Sequence, residues 1–161
     1  MSRRQIKKSP GADPRKRPGW EARLRELMFG LMGTTLTWSR ADCHTVVLRA
    51  IDAMAGTDLY SILRGRYDDE EGAIAVRDEL GDVLEHLEAL GFYETPEARF
   101  GDIAIYSGVR QVGTWPGSVP AVCMSSGLVM LPIGRRRVFQ LAPLRAAGEL
   151  LKVIRVPCLP R

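Results

Sequence analysis

The chain has 161 residues, of which 45% are hydrophobic and 26% charged, with three cysteines, two histidines and a formal net charge of +4. That is one domain's worth of chain with enough apolar residues to bury a core, and no apolar run reaches the length of about 18 residues that a membrane-spanning helix requires. The odd set Cys43, Cys123 and Cys158 argues against a disulfide framework and fits synthesis in a reducing compartment, while two histidines without a close cysteine pair argue against a zinc site, so neither metal nor cofactor is expected.

Charge is spread unevenly along the chain. Residues 1–19 carry seven basic side chains, Arg3, Arg4, Lys7, Lys8, Arg15, Lys16 and Arg17, against Asp13 alone, so the remaining sixteen basic and eighteen acidic residues leave the body close to neutral. Rich in Pro and Gly and nearly free of large apolar residues, residues 1–19 predict a disordered basic arm, with residues 20–161 as a single folded domain. Such an arm suits docking on an acidic surface or on nucleic acid, and it suits equally a terminus that only keeps the chain soluble. No apolar stretch follows it, so it does not read as a standard secretory signal.

A first helix is predicted from Pro18 to about Gly30, with Trp20, Leu24, Leu27, Met28 and Leu31 as its apolar stripe. Gly30, Gly33 and the threonines 34, 35 and 37 break it. The segment Trp38-Ser39-Arg40-Ala41-Asp42-Cys43 then reads as a helix start, with Ser39 as N-cap and Asp42 returning the bond as in a capping box. Val46, Val47, Ala50, Ile51 and Met54 follow at helical spacing and Gly56 is the natural stop. Cys43 therefore falls in a first helical turn, where unpaired N–H groups and the helix dipole lower a cysteine pKa from about 8.5. The competing reading is a structural cysteine, packed as a small hydrophobe.

Beyond the loop Arg64–Glu71, whose acidic end favours a helix start more than acid/base chemistry, Ile74, Leu80, Val83, Leu84, Leu87 and Leu90 predict one or two short helices split by Gly81 and closed by Gly91. His86, between Glu85 and Glu88, reads as an exposed surface histidine. After Pro96 the pattern changes to short apolar runs bounded by Gly, Pro or Ser: Ile103–Tyr106, Ala121–Met124, Leu128–Leu131 and Val138–Leu141. Ser126-Gly127 and Gly134 supply hairpin turns, a short helix from about Ala142 to Leu150 follows, and a last strand spans Lys152–Val156. Helices first and strands afterwards predict an α+β fold, with the helices packed on a small antiparallel sheet. Neither a phosphate-binding glycine loop nor a Gly-x-Ser-x-Gly elbow occurs.

The order of these elements resembles the NlpC-like cysteine peptidases of the papain-like superfamily, and within it a phage and prophage tail-associated domain family of uncharacterised function. The resemblance covers roughly residues 20–156. It rests on Trp38–Cys43, Gly56-Thr57-Asp58, Gly65-Arg66-Tyr67, Gly101-Asp102-Ile103-Ala104 and Gly127-Leu128. In such peptidases the cysteine at the helix start is the nucleophile, and a histidine opening a later strand is its base. The resemblance places Ala121, preceded by Pro120, where that base should stand. Ser39 and His44 also replace the glycine and the small residue common there.

His44 is a poor substitute base, because neighbours on a helix project roughly 100° apart. Losing general-base assistance removes typically about 10²- to 10⁴-fold in rate. The resemblance thus implies a degenerate peptidase-like domain made in a host cytoplasm and built into a virion tail, at the tail tip, with other tail proteins as partners. The basic arm and a loop carrying Trp115 would form its contact surface. Two alternatives stand beside it: an active thiol endopeptidase on peptidoglycan peptides, with Cys43 as nucleophile and His44 or His86 as base, and nucleic-acid binding through the arm, which the neutral body disfavours.

Overall fold

The computed structural model describes residues 13–109 and 115–160. Arg3, Arg4, Lys7 and Lys8, and the part of the predicted contact loop from 112 to 114, lie outside the described residues. Helix α1 spans Trp20–Leu31 and buries Leu24, Met28 and Leu31, one residue per turn. Helix α2 spans Cys43–Ala55 and ends at Gly56, and its buried face, including Val47, Ala50, Ile51 and Met54, packs on α1. A single 3₁₀ turn at Tyr60–Ile62 leads to α3, Glu70–Leu80, and α4, Val83–Ala89. The short helices start where Asp69 and Asp82 accept the N–H groups of Gly72 and Leu84, as an N-cap should.

Six strands follow: β1 Tyr93–Thr95, β2 Ile103–Val109, β3 Val119–Cys123, β4 Leu128–Ile133, β5 Val138–Pro143 and β6 Gly148–Arg155. They form one sheet in the order β1-β6-β2-β3-β4-β5, every pair antiparallel. Side chains alternate across it. Ile103, Ile105 and Val122 join the cluster built on α1 and α2, whereas Ala104, Tyr106, Ala121 and Cys123 join a second cluster closed by Leu144 and Ala147. The expected α+β fold with an antiparallel sheet is therefore present, with α2 lying against β3.

Two expectations are corrected. The helix expected at 142–150 is instead the end of β5, a turn and the start of β6. Leu144 and Ala147 are buried at a helix-like spacing, but the Pro143 carbonyl accepts from both Ala146 and Ala147 and closes one turn that does not continue. The arm also ends earlier than charge suggested, because residues 13–17 belong to the folded body. Lys16 forms a parallel bridge with Cys158, donating its N–H to the Pro157 carbonyl and accepting from Leu159, and Arg17 donates to Met54. Lys16 is only 5% exposed, with Nζ 4.2 Å from the Trp20 ring centre. Lysine can do this because its methylenes cover apolar surface while the ammonium finds a π face. Arg15 pairs with Asp13 at 2.6 Å.

The strand β1 was not anticipated. At three residues it is too short to show alternation, and it exists because β6 offers it an edge.

Candidate functional site

The start of α2 is organised by a buried carboxylate. Asp42, not Ser39, is the N-cap, so Cys43 is the first helical residue. Asp42 Oδ1 accepts the N–H groups of His44 at 3.0 Å and Thr45 at 2.9 Å, while the Thr45 hydroxyl accepts the Asp42 N–H at 2.9 Å and completes the capping box. Asp42 Oδ2 accepts from the Ser39 N–H at 2.8 Å and the Tyr67 hydroxyl at 2.7 Å. Ser39 takes φ 62°, which turns its N–H back to that carboxylate, and its hydroxyl accepts the Gly65 N–H at 3.1 Å. Sequence reasoning put the cap three residues early because a serine followed by an acid also fits the pattern. Tyr67, which it left as a loop residue, is the fourth donor.

Cys43 is 8% exposed and its thiol is pushed up to about 12, first by burial and then by the negative charge of Asp42. The lowered value expected from helix position is thereby reversed. A helix N-terminus stabilises an anion by about 0.3–1 kcal/mol, up to about 2 in partly buried geometry. Going from the ordinary 9.0 to about 12 amounts to about 4 kcal/mol the other way.

Neither histidine serves the thiol. The His44 ring lies 5.1 Å from the Trp115 ring, and burial holds its pKa below the ordinary value against the opposing charges of Asp42 and Asp82. Its buried Nε2 has no hydrogen-bond partner. His86 is half-buried rather than exposed, because its Nε2 donates to the Leu80 carbonyl at 2.6 Å and caps the C-terminus of α3. Ala121, the position assigned to the base, lies on β3 opposite Ala104 and is 2% exposed, in the same buried cluster as Cys43. The fold brings that position to the cysteine's surroundings and fills it with a methyl group.

Trp115 does not stand out as a contact surface. It is half-buried against His44 and packs on two buried clusters, folding over the body. Beside it, Gly117 takes φ +123°, and a Cβ there would meet the Arg77 guanidinium at 2.5 Å. Only glycine allows the guanidinium to lie that close. Arg77 also faces Asp78 at 3.2 Å and Asp82 at 3.8 Å, and Asp82 accepts the Ser118 N–H at 2.9 Å. Arg77 and Gly117 were legible only as a helix-face charge and a turn glycine.

These groups enclose a mostly apolar cavity of about 70 Å³ between α2, α3, α4 and Trp115. Cys43, Asp42, His44, Tyr67 and Arg77 all reach its wall. The wall thus combines a thiol held protonated by burial, an imidazole whose pKa is lowered by burial, and a carboxylate whose oxygens are taken by four donors.

One family model matches the chain, that of a domain of unknown function (DUF6950), over residues 15–141. The chain belongs to this family. Its matched stretch runs from the bridging segment at Lys16 into β5 and holds every residue of the cavity wall, whereas β6, which supplies the Arg155 that holds Asp102, lies beyond it. No curated protein and no solved structure matches the chain. Among the described residues no group of histidine, cysteine and carboxylates is arranged to hold a metal ion, and no helix is long and apolar enough to cross a membrane.

Proposed function

We propose that this DUF6950 domain is a peptidase-like domain without catalytic function that serves as a structural or assembly component of a phage tail, at the tail tip, with neighbouring tail proteins as its partners. The observation that carries the non-catalytic part is the state of Cys43, buried, held as a thiol up to about pH 12, and accompanied by an alanine where a base is needed. The tail assignment rests on the resemblance carried by Trp38–Cys43, Gly65–Tyr67 and Gly101–Ala104. Those residues have structural partners that maintain them without chemistry.

The NlpC-like reading of the fold is supported by the N-terminal position of Cys43 on α2 and by the packing of α2 on β3. Partner binding in this proposal falls to the basic residues that precede the folded body, together with exposed apolar side chains such as Phe29, which is 59% exposed.

The test is Cys43→Ala introduced into a phage or prophage that encodes this chain, alongside wild-type and deletion lines. The proposal expects no infectious particles from the deletion, normal titre from Cys43→Ala, and no release of peptide-linked sugar when the purified protein is incubated with peptidoglycan. Wall hydrolysis by the wild type that disappears in Cys43→Ala overturns the non-catalytic reading. Normal tails from the deletion line overturn the assembly role.

A further inference from the structure

Charge in the folded body is unevenly placed. Seven of the sixteen basic residues beyond residue 19, Arg40, Arg49, Arg64, Arg66, Arg135, Arg136 and Arg137, fall on three short segments, residues 36–49, 59–66 and 134–137. Those segments hold one of the eighteen acidic residues, Asp42. The rest of residues 20–161 then carries nine basic and seventeen acidic side chains, so the near-neutral total hides a strong separation of charge.

The fold brings the three segments together. The Ser39 carbonyl accepts from the Tyr60 hydroxyl at 3.3 Å and the Ser39 hydroxyl from the Gly65 N–H at 3.1 Å, so the segment bearing Arg64 and Arg66 lies against the one bearing Arg40. The Arg137 carbonyl accepts the Leu36 N–H at 2.8 Å, which ties the turn between β4 and β5 to the same loop. Arg49 reaches back from α2 and donates to the Arg40 carbonyl at 2.9 Å. Arg40, Arg64, Arg66, Arg135 and Arg136 are exposed, while the guanidinium carbons of Arg49 and Arg137 stand 5.6 and 5.8 Å from the ring centres of Tyr60 and Trp38.

Little of this charge is matched. Asp42 is buried and its oxygens are taken by four donors. Arg66 pairs with Glu79 at 2.9 Å, but among the described residues the other six arginines form no ion pair. The acidic run at 68–71 adjoins the cluster beyond Tyr67, and Asp69 within it is occupied as the cap of α3. Gathered like charges repel one another, and a polyanion relieves that repulsion.

We propose that this arginine face binds duplex nucleic acid through its phosphate backbone. A guanidinium stays charged and meets a phosphate with two parallel N–H bonds. A protein partner docks round a core depleted of charged residues. None of the large apolar side chains exposed among the described residues, Phe29, Tyr93, Leu128, Leu141 and Leu151, belongs to these segments. A single strand is recognised by stacking its bases on open aromatic faces. Here Tyr60 and Trp38 each have a guanidinium over the ring already. Phosphate contacts carry no sequence information, so the binding is independent of sequence. It goes beyond the tail reading and does not depend on it.

The test follows a fluorescein-labelled duplex of about 20 base pairs by anisotropy as the full-length chain is added at about 50 to 200 mM salt. The chain carries Arg3→Gln, Arg4→Gln, Lys7→Gln and Lys8→Gln, so that the signal reports the body and not the residues before it. Six phosphate contacts predict a slope of log affinity against log salt of about −5, a loss of about a thousandfold over that range. Arg135→Gln with Arg136→Gln, both on an exposed turn, should reduce the slope by about 2 and weaken binding at least about tenfold. Arg25→Gln with Arg145→Gln, which removes the same charge from exposed positions elsewhere, should change neither. Absence of binding at the lowest salt, or a slope that the Arg135 and Arg136 changes do not move, overturns the proposal. So does self-association that is lost with Arg135 and Arg136 in a chain that ignores the duplex, which makes the acidic surface of a second copy the partner. Equal or tighter binding of a single strand of the same length overturns the choice of duplex.

Discussion

The reactivity of Cys43 follows quantitatively from its surroundings. Its thiol stands at about 12 against an ordinary 9.0, so at any pH below 9 the native protein holds about a thousandth of the thiolate that a free cysteine holds. Labelling through global unfolding is slower still, since a stability of about 5–15 kcal/mol leaves roughly one molecule in 10⁴ or fewer unfolded. Alkylation of the native chain with iodoacetamide, read by peptide mass spectrometry from pH 7 to 11, should therefore be about a thousandfold slower at Cys43 than in an unstructured peptide of the same local sequence up to pH 8, the gap narrowing to about tenfold at pH 11 as the peptide thiol finishes ionising. The rate should rise about tenfold per pH unit across that range without levelling, because thiolate is the reacting form. Cys158, which is exposed, serves as the reference in the same sample. A plateau below pH 8, or Cys43 reacting faster than Cys158, would refute the reasoning and return the cysteine to the list of nucleophiles.

Other expectations concern the scaffold. Asp42→Ala strands the Ser39, His44 and Thr45 N–H groups and the Tyr67 hydroxyl in a buried site; one lost cap and at least two unpaired donors amount to about 3–5 kcal/mol, or a melting temperature lower by about 10 °C, measurable by thermal denaturation. Gly117→Ala meets both a positive φ and the Arg77 guanidinium, and should cost about 1–3 kcal/mol in urea titration while shifting Trp115 emission. Alkaline pH should destabilise the fold through Cys43 and Cys123, both buried and both raised to about 12. Below pH 9 folded and unfolded chains both keep these protons and the contribution is intact. Between about 9 and 12 only the unfolded chain releases them, so stability falls by up to about 1.4 kcal/mol per pH unit for each thiol. Cys123→Ala should flatten that slope in urea midpoints taken at pH 8 to 10, and an unchanged slope would count against it.

What could be read from the sequence divides along physical lines. The helices α1 and α2 were legible because their apolar stripes are long and a glycine lies at or just beyond the end of each, and five strands were legible because short apolar runs sit between turn residues, the last of them, Lys152–Val156, overlapping β6. The segment 142–150 was misread because burial of Leu144 and Ala147 mimics helical spacing, while the pairing that makes β6 a strand comes from β1 and β2, far away in sequence. The arm was drawn too long because composition counts charges and cannot see that the Lys16 backbone joins residues 157–159. At the site, Asp42 and Cys43 were visible as a helix start. The sign of the cysteine's shift was not, since it depends on burial in a cluster with Ala98, Ala104, Val119 and Ala121, and with Trp115 packed against it, which lie far from Cys43 in sequence.

The residues that carry the resemblance to cysteine peptidases have a structural account that needs no catalysis. Asp42 starts α2 and anchors Tyr67, whose ring meets Trp38 edge-on at 6.4 Å. Gly65 is held to the Ser39 hydroxyl, and Thr57 with the Leu59 and Tyr60 N–H groups gathers on the Asp52 carboxylate at 2.6 to 2.9 Å. Gly101 lies at φ +90°, where a Cβ would meet the Trp20 ring at 2.6 Å, and the fully buried Asp102 takes two bonds from Arg155 and one from the Arg99 N–H. A domain that discarded hydrolysis would keep all of these, because each loss leaves a buried charge or donor unmatched. Among the described residues the buried side-chain atoms left without a hydrogen-bond partner are Arg77 Nε, Trp115 Nε1 and His44 Nε2, none of which belongs to the motifs that carry the resemblance.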